Sequence, residues 1–180
     1  MYIKMGMNCI ILLIFGTIIT DSSPLYTWQD ENELLLYYLP YNIHTVVPES
    51  AVTLENWTGK HIRQYHLEKE RFASLIHILN YVEQQTPVKR RSYVDFSTGN
   101  IEETDMTSFS INARIAIVYK NKGNTIFSIG IGTSIQYFSY NESVFTYNEE
   151  LMGLFHRFIK ECNIPDVTRD FSQNFNLRDN

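Results

Sequence analysis

Residues 108–138 read SFSINARIAIVYKNKGNTIFSIGIGTSIQYF, and this stretch decides the fold. Apolar and polar residues alternate on both sides of the turn sequence NKGN at 121–124, in which Gly123 can adopt a positive φ. Alternation of this kind indicates half-buried strands, so these segments and the following SIQYF and VFTY predict an antiparallel meander. The inward-facing residues of the first two strands are predicted to be Ala113, Ile115, Ile117 and Tyr119, and Phe127, Ile129 and Ile131.

Two glycines, Gly130 and Gly132, interrupt the second of these strands. A phosphate-binding loop would require a third glycine and a helix directly afterwards, whereas the next helical pattern begins only near Asn148. Strand glycines more often mark a bulge, a bend or the close approach of another backbone. If their face of the sheet is uncovered, it becomes a docking trough. The candidate binding surface comprises Gly130, Gly132, Tyr137, Phe138 and Tyr140.

Helical patterns flank the predicted sheet. Residues 68–85 place apolar side chains on one helical stripe until Thr86-Pro87 ends the pattern. A second helix is predicted after Asn148, because asparagine suits an N-cap and the glutamates that follow suit the positive end of a helix. Helices segregated from a meander indicate an α+β fold, an antiparallel β-meander sheet with two or three helices packed on one face.

Other segments carry weaker patterns. We expect a short helix over Leu34–Leu39, with a strand as the alternative, and then a strand at 42–47. Residues 53–66 fit either a helical turn or a strand. The basic run at 89–91 and the acidic run at 97–105 are interpreted as solvated loops, and residues 166–180 as a polar, loose C-terminal tail.

The N-terminus has the plan of an export signal. A short basic region precedes the apolar run CIILLIFGTII, which is too short to span a membrane, and Thr20 and Ser22 suit cleavage before Ser23. We therefore predict an export signal peptide at 1–22, a single α+β domain at 23–165 and the tail at 166–180. Cleavage would remove Cys9 and leave Cys162, which lies in a helical apolar pattern and is expected to be buried and inert.

Composition and motifs exclude several classes of function. The 180-residue chain has a formal net charge of −5 and no basic stripe, so we predict no nucleic-acid partner. Because the N-terminal apolar run is too short to span a bilayer, we also predict no stable membrane span after cleavage. The five histidines form no metal-binding motif, no C-x-x-C or calcium loop is present, and no nucleophile motif occurs. We predict no cofactor and no metal. A pair of catalytic carboxylates distant in sequence stays open.

These features favour a non-enzymatic protein-binding module that is exported to the periplasm or the extracellular space. An immunity or inhibitor protein that neutralises a toxin or hydrolase is one example, and the expected partner is a protein of basic or mixed charge. One alternative is a small-molecule or surface-polymer binding module that stacks its ligand on Tyr137, Phe138 and Tyr140. Another is an unrecognised carboxylate-dependent hydrolase.

Overall fold

The computed structural model describes residues 26–45, 49–56, 61–133 and 136–176. The predicted signal peptide lies outside these ranges. The strands are β1 (Asn32–Tyr38), β2 (Arg63–Leu67), β3 (Arg90–Val94), β4 (Ile101–Asp105), β5 (Ala113–Asn121), β6 (Asn124–Gly132), β7 (Tyr137–Tyr140) and β8 (Ser143–Thr146). The helices are α1 (Ala51–Asn56), α2 (Glu70–Val82), α3 (Glu149–Glu161) and α4 (Pro165–Asn174), with a 3₁₀ helix at Ser108–Ile111. None of the described helices is long and apolar enough to cross a membrane.

Six strands form one antiparallel sheet in the order β2-β1-β5-β6-β7-β8, and β3 and β4 form a separate hairpin. The meander predicted from residues 108–147 is therefore confirmed as β5 to β8. Its first turn has Lys122 at φ 50° and Gly123 at φ 78°. Two consecutive positive φ values match the right-handed twist of the flanking strands, which explains the glycine.

The larger core lies on one face of this sheet, where α2, α3 and α4 pack against the strands. Asn148 caps α3 as predicted, since its side-chain Oδ1 accepts a hydrogen bond from the backbone N–H of Leu151. The predicted α+β class is confirmed. The strands contribute these buried residues to the core: Leu34, Leu36, Tyr38, Ile115, Ile117, Tyr119, Phe127, Ile129, Ile131 and Phe138.

A second, smaller core lies on the opposite face under α1 and the 3₁₀ helix. Ala113 belongs to this core rather than to the face predicted for it, because the β5–β6 register shifts between Ala113 and Ile115. A bulge of this kind reverses the alternation of side chains at one point. The smaller core also includes Leu54 of α1 and Ile111 of the 3₁₀ helix.

The helix expected at Leu34–Leu39 is wrong, because residues 32–38 form β1 between β2 and β5. A strand covered on both faces has a continuous apolar run instead of alternation. Leu34 lies in the larger core and Leu35 in the smaller one. The strand expected at 42–47 is absent from the described residues 42–45, and residues 46 and 47 lie outside the described ranges. The ambiguous segment at 53–66 divides into the end of α1 and the start of β2.

Two segments expected to be irregular are ordered elements. The runs at 89–91 and 97–105 contribute to β3 and β4, whose cross-strand pairing holds them together. The tail expected to be loose instead contains α4, with Pro165 at its first turn. Val167, Phe171 and Phe175 of this segment are buried in the larger core, so burial on one stripe outweighs its polar composition.

Candidate functional site

The glycine face is covered, so the predicted docking trough is not formed. A β-carbon at Gly130 would lie 2.5 Å from Ser139 Oγ and 3.1 Å from the Ala51 side chain in α1. At Gly132 it would overlap the backbone carbonyl of Ile111 in the 3₁₀ helix. Both glycines therefore allow other elements to pack closely against β6. This is one of the three roles expected for them.

The aromatic residues of the same candidate surface are also separated. Phe138 is fully buried in the larger core, whereas Tyr137 packs against the smaller core on the other face. Tyr140 is partly buried, and its hydroxyl is hydrogen-bonded to Tyr26 at 2.8 Å and to Glu83 at 3.1 Å. Burial is the first of the causes that raise the pKa of the Tyr140 phenol. The five predicted site residues therefore form no common exposed surface for stacking.

The most exposed apolar group in the described structure belongs to the hairpin Arg90–Asp105, here called the β3–β4 arm. Phe96 at its tip is 97% exposed, and Ile101 is 77% exposed. Val94 pairs directly with Ile101 across the two strands, which extends the apolar surface from the tip into the arm. Side chains of this type are usually buried, so their joint exposure makes the arm the most apolar exposed feature among the described residues.

The tip of the arm is a closed turn. Asp95 Oδ1 accepts hydrogen bonds from the backbone N–H and the hydroxyl of Ser97, and Oδ2 accepts one from the Thr98 hydroxyl. The N–H of Gly99, at φ 72°, donates to the Asp95 carbonyl at 2.7 Å. The bonds to the carboxylate oxygens, first those from Ser97, lower the pKa of the Asp95 carboxyl. The backbone that carries Phe96 is therefore preformed before any binding event.

Charges occupy the sides and base of the arm. Arg90 pairs with Asp105 at 3.0 Å and with Glu103 at 3.4 Å, and Tyr93 donates a hydrogen bond to Glu102 at 2.7 Å. The carboxylate of Glu102 raises the pKa of the Tyr93 phenol. The base is joined to the sheet, because the N–H of Val88 donates to the carbonyl of Val144. The glycine-containing loop between two short segments could have indicated this arm, but the charged runs on either side were interpreted as solvated loops.

A cleft of about 710 Å³ lies where α4 meets the ends of β1 and β2, and it is here called the α4 cleft. Asp166 pairs with Arg63 at 2.6 Å and with Arg169 at 3.2 Å. Asp170 pairs with Arg169 at 2.9 Å and accepts a short hydrogen bond from the Tyr38 hydroxyl. Among the described residues, the lining is Tyr38, Pro40, Tyr41, Asn42, Ile43, His61, Arg63, Asp166, Arg169, Asp170, Gln173 and Asn174.

These two carboxylates share Arg169 and are one candidate for the carboxylate pair that the sequence left open. The hydrogen bond from Arg63, aided by the charge of Arg169, holds the pKa of Asp166 below its usual range. Burial and the Asp170 hydrogen bond raise the pKa of the Tyr38 phenol, which stays neutral. A general acid requires a raised carboxyl pKa, so Asp166 has the character of a hydrogen-bonding group rather than an acid catalyst.

The imidazole of His156 makes a Ser–His contact, with Nε2 3.2 Å from Ser172 Oγ. Ser172 lies inside α4, where backbone N–H groups are used by the helix and cannot form an oxyanion hole. The His156 ring stacks on Phe171, with their centroids 6.1 Å apart. The contact therefore joins α3 to α4 and lacks the parts of a nucleophilic site.

Metal and thiol chemistry find little support among the described residues. Within those ranges, no three His, Cys, Asp or Glu side chains are placed to hold a metal ion. Cys162 is partly buried against the larger core, and burial raises the pKa of its thiol to about 12. A thiol of this kind is a poor nucleophile near neutral pH.

Comparisons with known proteins identify no relative. No family model matches the chain, and no curated protein or solved structure shows significant similarity to it.

Proposed function

We propose that this chain is an exported, non-enzymatic protein-binding module and that the β3–β4 arm inserts into its partner. The observation that carries the proposal is the 97% exposure of Phe96 on a turn that its own hydrogen bonds close. An exposed Phe on a flexible loop would lose conformational freedom on binding. On a preformed turn most of that cost is already met in the free protein.

Burial of the few apolar side chains on the arm would contribute enough free energy to anchor a partner. Full burial of a Phe side chain contributes about 1.5–3 kcal/mol, and Val94 and Ile101 extend the same apolar surface. Aromatic anchors that fill a pocket supply much of the affinity in protein interfaces. The arm therefore suits a partner with an apolar pocket wide enough for one aromatic ring and the strand behind it.

The charges on the two strands of the arm indicate which surface charge the partner should have. The β3 strand carries Arg90 and Arg91, and the paired β4 strand carries Glu102, Glu103 and Asp105. A pocket rim of mixed charge would complement both sides of the arm, and the net charge of −5 favours approach to a basic protein. An inhibitor or immunity protein that plugs the cleft of a toxin or hydrolase has these properties.

Export is part of the same proposal and rests on the sequence of residues 1–22. Expression of the full chain in a secreting host tests it directly. We expect a mature protein that begins at Ser23, identified by intact mass and N-terminal sequencing. Recovery of only the full-length chain inside the cell would contradict export and leave the binding role of the arm to be judged separately.

The binding role is tested by quantitative affinity capture from the extracytoplasmic fraction of the source cells. Immobilised wild-type protein is compared with Phe96→Ser, in which the anchor is lost, and with Asp95→Ala, in which the turn is loosened. Phe109→Ser is the matched control, because Phe109 is a half-exposed aromatic outside the arm. We expect one protein to be retained by the wild type and the control, to be depleted by Asp95→Ala and to be lost with Phe96→Ser. Capture that is equal for all four baits, or no specific capture, would refute the proposal.

A further inference from the structure

We propose that the α4 cleft is a second binding site, which takes a short neutral saccharide. This inference goes beyond the proposed function, because the cleft and the β3–β4 arm share no residue. The size is suitable, since a volume of about 710 Å³ lies within the range of roughly 300–1,000 Å³ usual for small-molecule sites. The choice of ligand follows from the rigidity, charge and polarity of the lining.

The walls of the cleft are held in place from several directions. The Tyr41 hydroxyl donates to the carbonyl of Gly132 at 3.3 Å, and Arg114 Nη1 donates to the carbonyl of Ile43 at 2.6 Å. The Ile43 N–H donates to the carbonyl of Pro40 at 3.0 Å, which closes the turn between them. On the other wall, Arg63 pairs with Asp166 of α4, and Arg169 pairs with Asp170 of the same helix. A ligand would meet a largely preformed site.

The formal charges of the described lining residues cancel. Two guanidinium groups, Arg63 and Arg169, face two carboxylates, Asp166 and Asp170, and each charged group already has an opposite partner within 4 Å. An anionic ligand would have to compete with the carboxylates for the arginines, and a cationic ligand would have to compete with the arginines for the carboxylates. A neutral ligand with several hydroxyl groups can use remaining donors and acceptors of both kinds without breaking a pair.

The rest of the lining supplies the other contacts that a sugar uses. The amide side chains of Asn42 and Gln173 are exposed and form no hydrogen bond within the described part of the chain, so their donors and acceptors are available. Amides serve hydroxyl groups well, because each offers both a donor and an acceptor. Pro40, Tyr41 and Ile43 provide an apolar wall for the C–H face of a sugar ring.

The first experiment measures whether neutral, anionic or cationic disaccharides bind to the protein. Wild-type protein is titrated with four neutral disaccharides, namely cellobiose, lactose, maltose and N,N′-diacetylchitobiose. Digalacturonate serves as an anionic disaccharide and chitobiose, the free diamine, as a cationic one. Saturation-transfer NMR and calorimetry report binding. We expect at least one neutral sugar to bind, with a Kd at least about tenfold below that of either charged sugar. Absence of binding by all four neutral sugars, or preference for a charged one, would overturn the proposal.

Variants locate the binding in the cleft. Gln173→Ala removes an amide that supports no described contact, and we expect it to raise the Kd of the neutral sugar by at least about fivefold without changing stability. Gln84→Ala removes another exposed amide outside the cleft, one that donates to the Asn80 carbonyl at 3.0 Å, and is the control. A Kd unchanged by Gln173→Ala, or raised equally by both, would place the sugar elsewhere.

A charge variant tests the site through ligand preference, which a purely structural role of Arg169 would not change. Arg169→Gln leaves Asp166 and Asp170 facing Arg63 alone, so the cleft acquires a net charge of −1. We expect the preference to shift at least about tenfold toward the cationic chitobiose. Lys122→Gln removes a similarly exposed, ion-paired cation at the β5–β6 turn (67% exposed, against 57% for Arg169) and should leave the preference unchanged. An unaltered preference in Arg169→Gln would refute the assigned site.

Discussion

The backbone carbonyl oxygen of Ile111 occupies the space that a β-carbon would need at Gly132. The 3₁₀ helix therefore rests directly on the end of β6, and the contact is possible only because residue 132 has no side chain. Since the obstacle is backbone, a larger residue cannot be accommodated by rotating a neighbour. The two glycines thus let the helices that cover this face pack closely against the sheet, with α1 at Gly130 and the 3₁₀ helix at Gly132.

Substitution of Gly132 by Ala should lower the free energy of unfolding by about 2–3 kcal/mol, because the 3₁₀ helix must move away from the sheet. Urea denaturation measures the change. Gly130→Ala should cost less, since its closest obstacle is the rotatable hydroxyl of Ser139. Gly153→Ala is the control. This glycine lies exposed in α3 with nothing within 4 Å, so alanine should stabilise the protein by about 0.5–1 kcal/mol. A different order would contradict the assigned packing.

Removal of the Phe171 side chain should show that the C-terminal segment belongs to the folded domain. Phe171 is fully buried between α4 and the larger core, so Phe171→Ala should cost about 3–5 kcal/mol. Phe96→Ala makes the same chemical change at a side chain that is 97% exposed, and its effect should stay within about 0.5 kcal/mol. Equal losses for both variants by thermal or urea unfolding would be inconsistent with this structure.

The sequence correctly predicted the elements whose local residue pattern is distinctive. Alternation identified β5 to β8, and helical stripes identified α2, which a proline ends, and α3, which an asparagine caps. β1 was misjudged, because a strand covered on both faces gives an unbroken apolar run that resembles a helix. In α4, Val167, Phe171 and Phe175 recur four residues apart, but the residues between them are polar and the apolar stripe is narrow. Packing of this stripe into the larger core stabilises the helix, and that packing cannot be read from the local sequence.

The site was less predictable than the fold, because its contacts join distant parts of the chain. Arg63 and Asp166 lie 103 residues apart, and their pairing depends on β2 being the edge strand beside α4. The β3–β4 arm had a local signal in its glycine turn, but its charged strands resemble loops when read alone. Exposure of Phe96 could not be inferred at all, since a Phe in a short polar segment is normally buried.

Loss of the α3 cap should have a measurable cost. Asn148 accepts from the Leu151 N–H at 2.8 Å and donates to the Tyr81 hydroxyl at 2.6 Å. Asn148→Ala removes both bonds and should lower stability by about 1–2 kcal/mol. Asn148→Asp keeps the acceptor and gains from the helix dipole, so it should retain most of the stability. An aspartate as damaging as alanine, judged by the urea midpoint, would show that the cap is not what stabilises α3.

The thiol of Cys162 should react slowly in the native protein. At pH 8 a thiol with a pKa of about 12 is roughly one part in 10,000 thiolate, and only the thiolate attacks a disulfide reagent. In a chain that begins at Ser23, labelling by a chromogenic disulfide should be at least about a hundredfold slower in buffer than in concentrated urea. Similar rates under both conditions would show that the thiol is not protected by the larger core.

The ion pair between Arg63 and Asp166 should stabilise the fold only above acidic pH. The pKa of Asp166 lies below its ordinary value of 3.8 in the folded protein, chiefly because Arg63 donates a hydrogen bond to the carboxylate. A carboxyl group with a lowered pKa contributes stability that is present above the unfolded pKa and is lost as the pH falls through the folded pKa. The relevant window therefore lies below about pH 4.

A double-mutant cycle with Arg63→Gln and Asp166→Asn isolates this contribution from other effects of acid. Urea unfolding of the four proteins should give a favourable coupling energy near pH 7 that vanishes near pH 2. Because both side chains are partly exposed, added salt should also weaken the coupling. A coupling energy that persists at acidic pH would mean that the two residues interact through something other than the charge of Asp166. In that case the neutral balance of the α4 cleft, and with it the expected preference for uncharged sugars, would need another origin.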